Sequence, residues 1–562
     1  MPAHNGFDGD HIEIETDVVI IGGGLAGCFA AIKARNAGAD VVLFDKAAIK
    51  RSGNASYGDD HVPIIAFPGL TIDPEELAER ALKGMDGLVD PQLSYILAEE
   101  GIHRALDLNE YGVPVFYEGN KFLFVPSRYE LGLDKGAKWS MIFLKGGGEM
   151  KECLAHQVRL RGVKVIEHTI GNSVLTHENR VVGATGVNIR TGEFIVCKAK
   201  AVVLCTGSAN RLYWSPEGLM ANYYCPTNCG DGHAIAYRAG ARLTGMEFIQ
   251  AQTHTTDHPA GPRPHGFFTV LVNAEGENIQ RKWEHLTNQL DAITMAAYDE
   301  YGAGRVPYWN TDTMSPHARD MWAYGLANEH PIGLKYTDPK RVTKRQEART
   351  RIFGLYRSVS GPIVDAHMHT SLRGLFGAGD TINSSRMGGN TNAFVTGARA
   401  GHFAAVYART ADKPVIDQEQ VKAEKARVYA YDGRERGIKP IELEETVRRI
   451  IYHYVGIRKS EPQLRRGLEV LHDVTETFGP QVAVTNPHEL MRYLELQNII
   501  QVAEILFEAS LFREESRIIP SHWRIDFPNQ DDENWKLAVI AQQADDRLLL
   551  TAEHPDRWMR RV

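Results

Sequence analysis

The first forty-five residues alternate between apolar runs and glycine-rich or polar breaks in a pattern that predicts a strand, a turn and a helix. After a polar tail of about ten residues, TDVVIIGGGLAG begins as a buried strand and ends in glycines. CFAAIKARNAG continues as a helix that ends at Gly38, and ADVVLFDKA forms a second strand that ends on Asp45. The pattern therefore predicts a βαβ unit near the amino terminus.

The glycines of this unit have the spacing of a dinucleotide-binding turn. Gly22 allows a tight turn, Gly24 lets the backbone approach a pyrophosphate, and Gly27 lets the helix pack closely on the strand. The helix amino terminus offers N–H groups to phosphate, and Asp45 would accept hydrogen bonds from ribose hydroxyls. A purely structural glycine turn is the alternative, but the strand–turn–helix–strand context favours dinucleotide binding.

Later apolar segments indicate which dinucleotide is bound. Residues 163–207 alternate between apolar and polar positions, have hairpin breaks at HENR and RTGE, and end in AVVLCTG with Thr206 and Gly207. LRGLFGAGD predicts a further strand that ends on Asp380. This layout is typical of two-dinucleotide-type FAD proteins, whereas a nicotinamide dehydrogenase has no need of the later segments.

The remaining patterns predict two further domains. Between Met246 and about Arg357 the sequence is irregular and rich in His, Pro, Gly and Trp, which indicates a capping domain inserted into the FAD domain. From about Pro414, three segments have the apolar spacing of amphipathic helices. The predicted fold class is α/β, a two-dinucleotide-binding, Rossmann-like FAD domain with an inserted capping domain and a carboxyl-terminal helical domain. The predicted boundaries are 1–247 and 358–412 for the FAD domain, 248–357 for the cap and 413–562 for the helical domain.

Composition and charge exclude several classes. The 562 residues are 43% hydrophobic and 24% charged, as in an ordinary globular protein of two to four domains. The net charge of −8 and the lack of a dense basic run argue against nucleic acid as a partner. Six cysteines fit a reducing compartment rather than a disulfide scaffold. Cys225 and Cys229 in CPTNC would make half a metal site, but no second pair matches them.

The apolar stretch from Val18 to Ile32 is too short to span a membrane and contains four glycines. Acidic rather than basic residues precede it, unlike a secretory signal. The sequence therefore predicts a cytoplasmic location without a membrane anchor.

Taken together, the motifs resemble the flavoprotein subunits of the fumarate reductase, succinate dehydrogenase and L-aspartate oxidase superfamily. The resemblance runs nearly end to end. It is carried by VVIIGGGLAG, KRSGNAS, AVVLCTG, GDGHAIAYRAGARLTGMEF, GLFGAGD, RMGGNTN and ESRIIPSHWRIDFPNQDDENW. KAAIKRSGNAS and AKWSMIFLKGGGEMKECLAHQ are most similar to the alpha subunit of adenylylsulfate (APS) reductase.

The resemblance implies an FAD oxidoreductase in which the cofactor is held without a covalent bond. Gly53 stands where respiratory succinate dehydrogenases have a histidine joined to the flavin, and glycine cannot form that bond. The loop with Ser52 and Ser56 would wrap the isoalloxazine and the pyrophosphate. The cofactor-binding residues implied by the motifs and the resemblance are Gly22, Gly24, Leu25, Ala26, Gly27, Asp45, Lys46, Ser52, Gly53, Asn54, Ser56, Thr206, Gly207, Asp231, Gly379, Asp380, Asn390, Thr391 and Asn392.

The substrate pocket departs from the family pattern. Arg386 matches the family arginine that pairs with a substrate carboxylate, but Gln252 replaces a family histidine and LDAITMAAYDEYG lacks the proton-donating arginine. Succinate oxidation and fumarate reduction are therefore not expected. Adenylylsulfate reductase has an arginine where this chain has His254, and a histidine where it has Arg386. The predicted catalytic residues are Arg386, His254 and Gln252, in a pocket that His61, Trp139 and either Tyr356 or Arg357 would line.

Three alternatives remain open at this stage. The chain could be an adenylylsulfate reductase alpha subunit proper, or an oxygen-using oxidase of the L-aspartate oxidase type. Because it has no ferredoxin-like cysteine set, any iron–sulfur clusters would lie on a separate partner chain. From another class, VDAHMHT resembles the first metal ligands of amidohydrolases, with His367 and His369 on one face of a strand. That motif opens a TIM barrel and needs later histidines and an aspartate, whereas here it lies late in the chain, just before GLFGAGD, which argues against a metal site.

Overall fold

A computed structural model gives the fold of the chain. It describes residues 11–56, 58–59, 61–63, 66, 72–116, 121–124, 141–215, 225–256, 269–286, 288–329, 345–386 and 389–555. Trp139, which was predicted to line the substrate pocket, lies outside these residues.

The strands and helices of the described residues are numbered in chain order. The strands are β1 Ile12–Ile21, β2 Val41–Asp45, β3 His61–Pro63, β4 Leu123–Phe124, β5 Met141–Phe143, β6 Lys164–Glu167, β7 Thr169–His177, β8 Arg180–Asn188, β9 Phe194–Leu204, β10 Leu243–Thr244, β11 Ile249–Thr255, β12 Leu271–Val272, β13 Tyr308–Trp309, β14 Gln346–Leu355, β15 Gly361–Pro362, β16 Leu375–Gly377, β17 Arg458–Lys459, β18 Trp523–Arg524, β19 Ala538–Ala544 and β20 Arg547–Glu553. The helices are α1 Leu25–Asn36, α2 Pro74–Gly84, α3 Pro91–Glu110, α4 Met150–Leu160, α5 Asp231–Arg238, α6 Gln289–Gly302, α7 Pro316–Glu329, α8 Asn390–Thr410, α9 Gln418–Val428, α10 Pro440–Tyr454, α11 Glu461–Phe478, α12 Pro487–Phe512 and α13 Asp532–Trp535.

The central sheet has the strand order β6-β2-β1-β9-β8-β7, and β16 also pairs with β9. The sheet is parallel from β6 through β2 and β1 to β9, and β16 also pairs with β9 in parallel. On the other side of β9, the strands β9, β8 and β7 pair antiparallel and form a meander. The predicted βαβ unit and both hairpin turns of the meander are confirmed. The last predicted strand is wrong at its end, because β16 stops at Gly377 and Asp380 lies in a short 3₁₀ turn.

Both faces of this sheet are buried, as expected for parallel strands. Along β1, Val18 and Ile20 pack in one hydrophobic cluster with α1 and α8, while Val19 and Ile21 pack in another that extends into the helical region. α8 lies so close to α1 that a Cβ on Gly397 would come within 2.4 Å of the Ala26 carbonyl oxygen. This packing places the amino terminus of α8 on the same side of the sheet as α1.

The predicted capping region forms a second, smaller layer. β11 pairs antiparallel with β14, which continues the sheet through β13 to β12. Thr350 on β14 donates a hydrogen bond from its Oγ1 to the Thr294 carbonyl of α6 at 3.0 Å. The irregular composition of this region gave no indication of β11 or β14.

The carboxyl-terminal region is helical from α9 to α12 and contains the predicted amphipathic helices together with α11, which was not predicted. It does not end as helix. β19 and β20 form a hairpin, and β19 pairs with β10 of the amino-terminal half in a four-stranded sheet of order β15-β10-β19-β20. No helix of the described residues is both long enough and apolar enough to cross a membrane.

Candidate cofactor and substrate site

Four parallel strands end side by side at one edge of the central sheet. Ile21 is in register with Phe44 and with Leu204, and Leu204 is in register with Gly377. The segments that follow these strands contain the predicted cofactor residues, and they therefore meet at the carboxyl edge. In open α/β sheets this edge is where nucleotides bind.

The first of these segments, which we name the phosphate turn, is Gly22–Gly24. Gly22 has φ +103°, and a Cβ there would lie 2.3 Å from the Cys205 carbonyl oxygen, so only glycine fits between β1 and β9. α1 begins directly after the turn with no side-chain cap and no acidic residue in its first turn. Its first amide groups therefore face the sheet edge as donors for an anion.

Asp45 ends β2 beside the phosphate turn. Its Oδ1 accepts a hydrogen bond from the Ala47 amide at 2.8 Å. Its Oδ2 is buried and has no partner among the described residues. Buried polar atoms are rarely left unsatisfied in folded proteins, and a ribose hydroxyl would supply the missing donor. The residues present therefore fit the nucleotide half of FAD.

Replacement of Asp45 by alanine should weaken FAD binding at least about tenfold, because hydrogen bonds to a charged group contribute about 1.5–3 kcal/mol. The measurement is a titration of the apoprotein followed by flavin fluorescence. Asp40→Ala is the matched control, since the Asp40 side chain is 82% exposed just before β2. Equal FAD affinity in the Asp45 variant and the control would contradict the ribose-binding role.

The predicted flavin loop, Ser52–Ser56, folds over the phosphate turn. Ser52 is buried and donates from Oγ to the Gly23 carbonyl at 3.0 Å. Gly53 has φ +78°, and a Cβ there would lie 3.0 Å from Gly24 Cα. Asn54 Oδ1 accepts a hydrogen bond from the Cys225 amide at 2.8 Å. The fold thus brings the flavin loop and the phosphate turn together. The Ser52 and Asn54 side chains, however, form their hydrogen bonds with other residues of the protein.

A chain of side-chain hydrogen bonds joins the two predicted residues Asp380 and Asn392. Ser358 donates from Oγ to Asp380 Oδ1 at 2.7 Å and accepts a hydrogen bond from Asn392 Nδ2 at 3.0 Å. Ser384 donates to Asn392 Oδ1 at 2.9 Å. Because Ser358 follows the end of the cap, this network ties the end of the cap to the cofactor edge.

The amino terminus of α8 is fixed by its first side chains. Asn390 donates from Nδ2 to Asp59 Oδ2 at 2.5 Å and to the His61 carbonyl at 3.1 Å. Thr391 donates from its hydroxyl to the Pro63 carbonyl. The side chains of these two predicted cofactor residues thus hold β3 to α8, while the helix amide groups remain as donors. The predicted pocket residue His61 is half-buried here.

Three other predicted cofactor residues have structural partners. Thr206 Oγ1 accepts the Gly232 amide at 2.9 Å and so caps α5. Asp231 is buried, with Oδ2 2.8 Å from Lys46 Nζ and Oδ1 2.8 Å from Asn498 Nδ2. Lys46 also pairs with Glu495 of α12 at 2.7 Å. Lys46 and Asp231 thus link the FAD domain to the helical region, and their direct contact with the cofactor stays a prediction.

Arg386 is the predicted substrate-binding cation, and its side chain is only 8% exposed. Its guanidinium donates to the Gly84 carbonyl and forms an ion pair with Asp291 of α6 in the cap, and it lies 5.5 Å above the Tyr356 ring centre. Its Nε is buried and has no acceptor among the described residues. Burial alone would lower the pKa of Arg386, but Asp291 and Tyr356 together outweigh burial and raise it.

Asp291 was not predicted as a site residue. Its segment, LDAITMAAYDEYG, was notable in the sequence only because it lacks the proton-donating arginine. Burial raises the pKa of Asp291, and the neighbouring Arg386 partly opposes that shift. Its pairing with a residue 95 positions away is a tertiary contact that no local pattern could indicate.

The other predicted catalytic residues lie on β11. His254 is completely buried, with its ring packed edge-on against Phe353 at 4.9 Å between centres. Gln252 is half-buried two positions earlier. Tyr356 and the half-buried Arg357 follow β14 at the end of the cap, and Tyr356 lies beneath Arg386. The roles of His254, Gln252 and Arg357 stay predictions.

The metal interpretation of VDAHMHT is wrong. The segment is a tight turn rather than a strand, because Met368 has φ +66° and Asp365 Oδ1 accepts the amides of His367 and His369. The imidazole of His367 packs on Phe403 and that of His369 packs on Phe376. Within the described residues, no group of three or more His, Cys, Asp or Glu side chains could hold a metal ion.

Comparison with known proteins agrees with this geometry. Residues 17–297 match the family model of the FAD binding domain, and residues 444–555 match that of the fumarate reductase flavoprotein C-term. The chain is 28% identical to one of the subunits of the fumarate reductase (CoM/CoB) of Methanothermobacter marburgensis, over 94% of this chain and 97% of that protein. It is 26% identical to L-aspartate oxidase of Mycobacterium leprae, over 96% and 97% of the two chains.

Among solved structures, adenylylsulfate reductase from Archaeoglobus fulgidus superimposes with a TM-score of 0.85 at 22% identity, over 98% of this chain and 97% of that one. This likeness shows the fold. The predicted fold class and the predicted binding of FAD are confirmed.

Proposed function

Because the chain belongs to the FAD-binding flavoprotein family that includes fumarate reductase, and is an FAD-dependent oxidoreductase, we propose that it transfers an electron pair between FAD and a small anionic substrate. The substrate would lie beneath the cap and accept a hydrogen bond from Arg386. The absence of a histidine at Gly53 supports a non-covalent cofactor.

Different segments of this chain would bind different parts of the cofactor. The amides of the phosphate turn and the start of α1 would hold the diphosphate, and Asp45 the ribose. Asp380 would hold the ribityl region, and the amides at the start of α8 would stabilise negative charge on the ring. Bound FAD supplies hydride or electron-pair exchange, which amino-acid side chains do not offer.

The observation that carries the proposal is the buried, unpartnered Nε of Arg386. Gly84 and Asp291 occupy other positions of the guanidinium, so its orientation is fixed before a ligand arrives. An oxygen of a carboxylate or sulfur oxyanion would satisfy the remaining donor with a charge-assisted hydrogen bond. Pre-orientation of this kind reduces the entropy that binding costs.

The pocket is not that of a plain dicarboxylate enzyme. Gln252 stands where the family has a histidine, and the segment LDAITMAAYDEYG, expected to provide the proton-donating arginine, contains no arginine. Gln252 is a neutral hydrogen-bonding group that does not titrate. These replacements support a substrate other than succinate or fumarate.

We also propose that a partner chain carries the electrons to or from the flavin. Two relatives are named as subunits of larger enzymes, one from the fumarate reductase (CoM/CoB) and the other the fumarate reductase flavoprotein subunit of Mycobacterium tuberculosis. Four of the cysteines here, Cys28, Cys197, Cys205 and Cys229, are buried. An iron–sulfur cluster needs several thiolates around one site, so we place the clusters on a ferredoxin-like partner.

The test is an anaerobic reoxidation screen. The bound flavin is reduced, excess reductant is removed, and small carboxylates and sulfur oxyanions are added while the flavin absorption is followed. We expect rapid reoxidation by one class of anion, with little response to fumarate. Reoxidation only by uncharged compounds would contradict the proposal.

A further inference from the structure

Lys151, in the first turn of α4, has a buried ammonium group beside the phosphate turn. Its side chain is 0% exposed, and its Nζ donates to the Gly23 carbonyl at 2.7 Å and to the Ile49 carbonyl. Cys28 Sγ lies 3.3 Å from the same nitrogen. Neither the sequence motifs nor the proposed reaction assigns this lysine a role.

Burial of an ammonium group is costly unless an anion or a full set of acceptors compensates it. In the part of the chain that the structure describes, no carboxylate forms an ion pair with Lys151; its contacts are the two carbonyls and the thiol. A positive charge is thus held immediately behind the turn where a diphosphate would bind. Three acceptors satisfy the donors of this ammonium group, but no described carboxylate pairs with its charge, and an unneutralised positive charge is favourable behind an anion site.

The hydrogen bonds of Lys151 also fix the direction of one peptide group. The Gly23 carbonyl accepts from Lys151, from Ser52 Oγ at 3.0 Å and from Cys28 Sγ at 3.4 Å. In a planar trans peptide, the carbonyl and the following N–H point in opposite directions. With the Gly23 oxygen held on the protein side, the Gly24 N–H is directed the other way, and it has no backbone acceptor among the described residues.

We propose that Lys151 is a positioning residue for the FAD diphosphate. It holds the Gly23–Gly24 peptide so that the Gly24 amide joins the first amides of α1 in a single donor set. Hydrogen bonding to the carbonyl polarises the peptide and strengthens the opposite N–H as a donor. Through Ile49, the same ammonium fixes the flavin loop relative to this donor set. The inference concerns cofactor binding and does not depend on which substrate the enzyme uses.

The test compares ligands that do and do not carry the diphosphate. Apoprotein with Lys151→Met is titrated with FAD, with ADP and with riboflavin, by fluorescence and calorimetry. FAD and ADP should each bind at least about tenfold more weakly, and riboflavin should change less than about twofold. Ser52→Ala, which removes a second donor to Gly23, should weaken FAD and ADP in the same direction.

Lys50→Met is the matched control, because it removes the same charge from a side chain that is 63% exposed. It should leave all three affinities unchanged. Unaltered FAD and ADP binding in the Lys151→Met protein would overturn the proposal, and so would an equal loss for riboflavin, which indicates general structural support. Should Lys151→Met fail to fold by circular dichroism, Lys151→Gln, which keeps a donor but no charge, is judged by the same ADP-to-riboflavin comparison.

Discussion

A Glu495→Gln variant should lose about 3–5 kcal/mol of unfolding free energy, the cost of breaking a buried ion pair. Glu495 lies on α12 and is fully buried. Its Oε1 is 2.7 Å from Lys46 Nζ and its Oε2 is 2.8 Å from Arg211. Glutamine removes the negative charge and turns an NH₂ group toward one of these two cations. The measurement is urea denaturation at neutral pH with FAD at a fixed, saturating concentration, because ligand binding itself adds stability.

The same carboxylate predicts a dependence on pH. Burial would raise the pKa of Glu495, but Lys46 and Arg211 outweigh burial and lower it to about 2 from 4.5. A carboxylate whose pKa is depressed on folding stabilises the native state above its unfolded pKa. The difference between wild type and Glu495→Gln should therefore be constant near neutral pH and shrink as the pH falls below 4.5 toward 2.

Glu445→Gln on α10 provides the matched comparison. Its carboxylate pairs with Arg449 at 2.6 Å, but both side chains are about half exposed. Exposed ion pairs contribute little because water and salt screen them. This variant should unfold at nearly the wild-type urea concentration. If the two glutamine variants shift the midpoint equally, the buried network does not join the FAD domain to the helical region as described.

Arg386→Met should reduce turnover of the substrate found in the anion screen at least about 100-fold, the typical cost of removing a preorganised donor to a developing or bound charge. FAD should be retained, since no predicted cofactor contact uses the guanidinium. The rate is measured with saturating electron donor, and FAD content from the flavin absorption of the purified protein.

Loss of Arg386 also leaves Asp291 buried without its cation, so a stability effect must be separated from the catalytic one. Arg386→Met combined with Asp291→Asn removes both charges and should recover stability without recovering turnover. Arg305→Met, at an arginine that is 59% exposed and pairs with Glu300, is the matched control and should keep the wild-type rate. Near-normal turnover in the double variant would show that Arg386 is not part of the active site.

The nucleotide edge could be predicted from sequence because its determinants are local. Gly22 and Asp45 occupy fixed positions in a short βαβ unit, and the apolar run between them admits few structures. The meander was predictable for the same reason, since its turns lie between strands of clear alternation. The cofactor role of Asp380 was inferred from a motif and stays a prediction, and its strand ends at Gly377, before a glycine with φ +70° and earlier than the pattern suggested.

The parts that could not be predicted depend on contacts between distant segments. Asp291 meets Arg386 only because the cap folds back over the FAD domain, and Lys151 meets Gly23 across 128 positions. β11 and β14 bury polar residues such as Gln250, His254 and Gln346, so their strand pattern was hidden in the sequence. The histidines of VDAHMHT looked like metal ligands because a sequence does not show that Met368 turns the backbone between them.

The pairing of β19 with β10 has a consequence for biosynthesis. β10 emerges from the ribosome early, yet its partner strand is made only after the whole helical region has been translated. Until then one edge of β10 offers unpaired backbone groups, which is a template for association with other nascent chains. Protection of this edge by a chaperone, or slow final maturation after release, would be the expected solution in the cell.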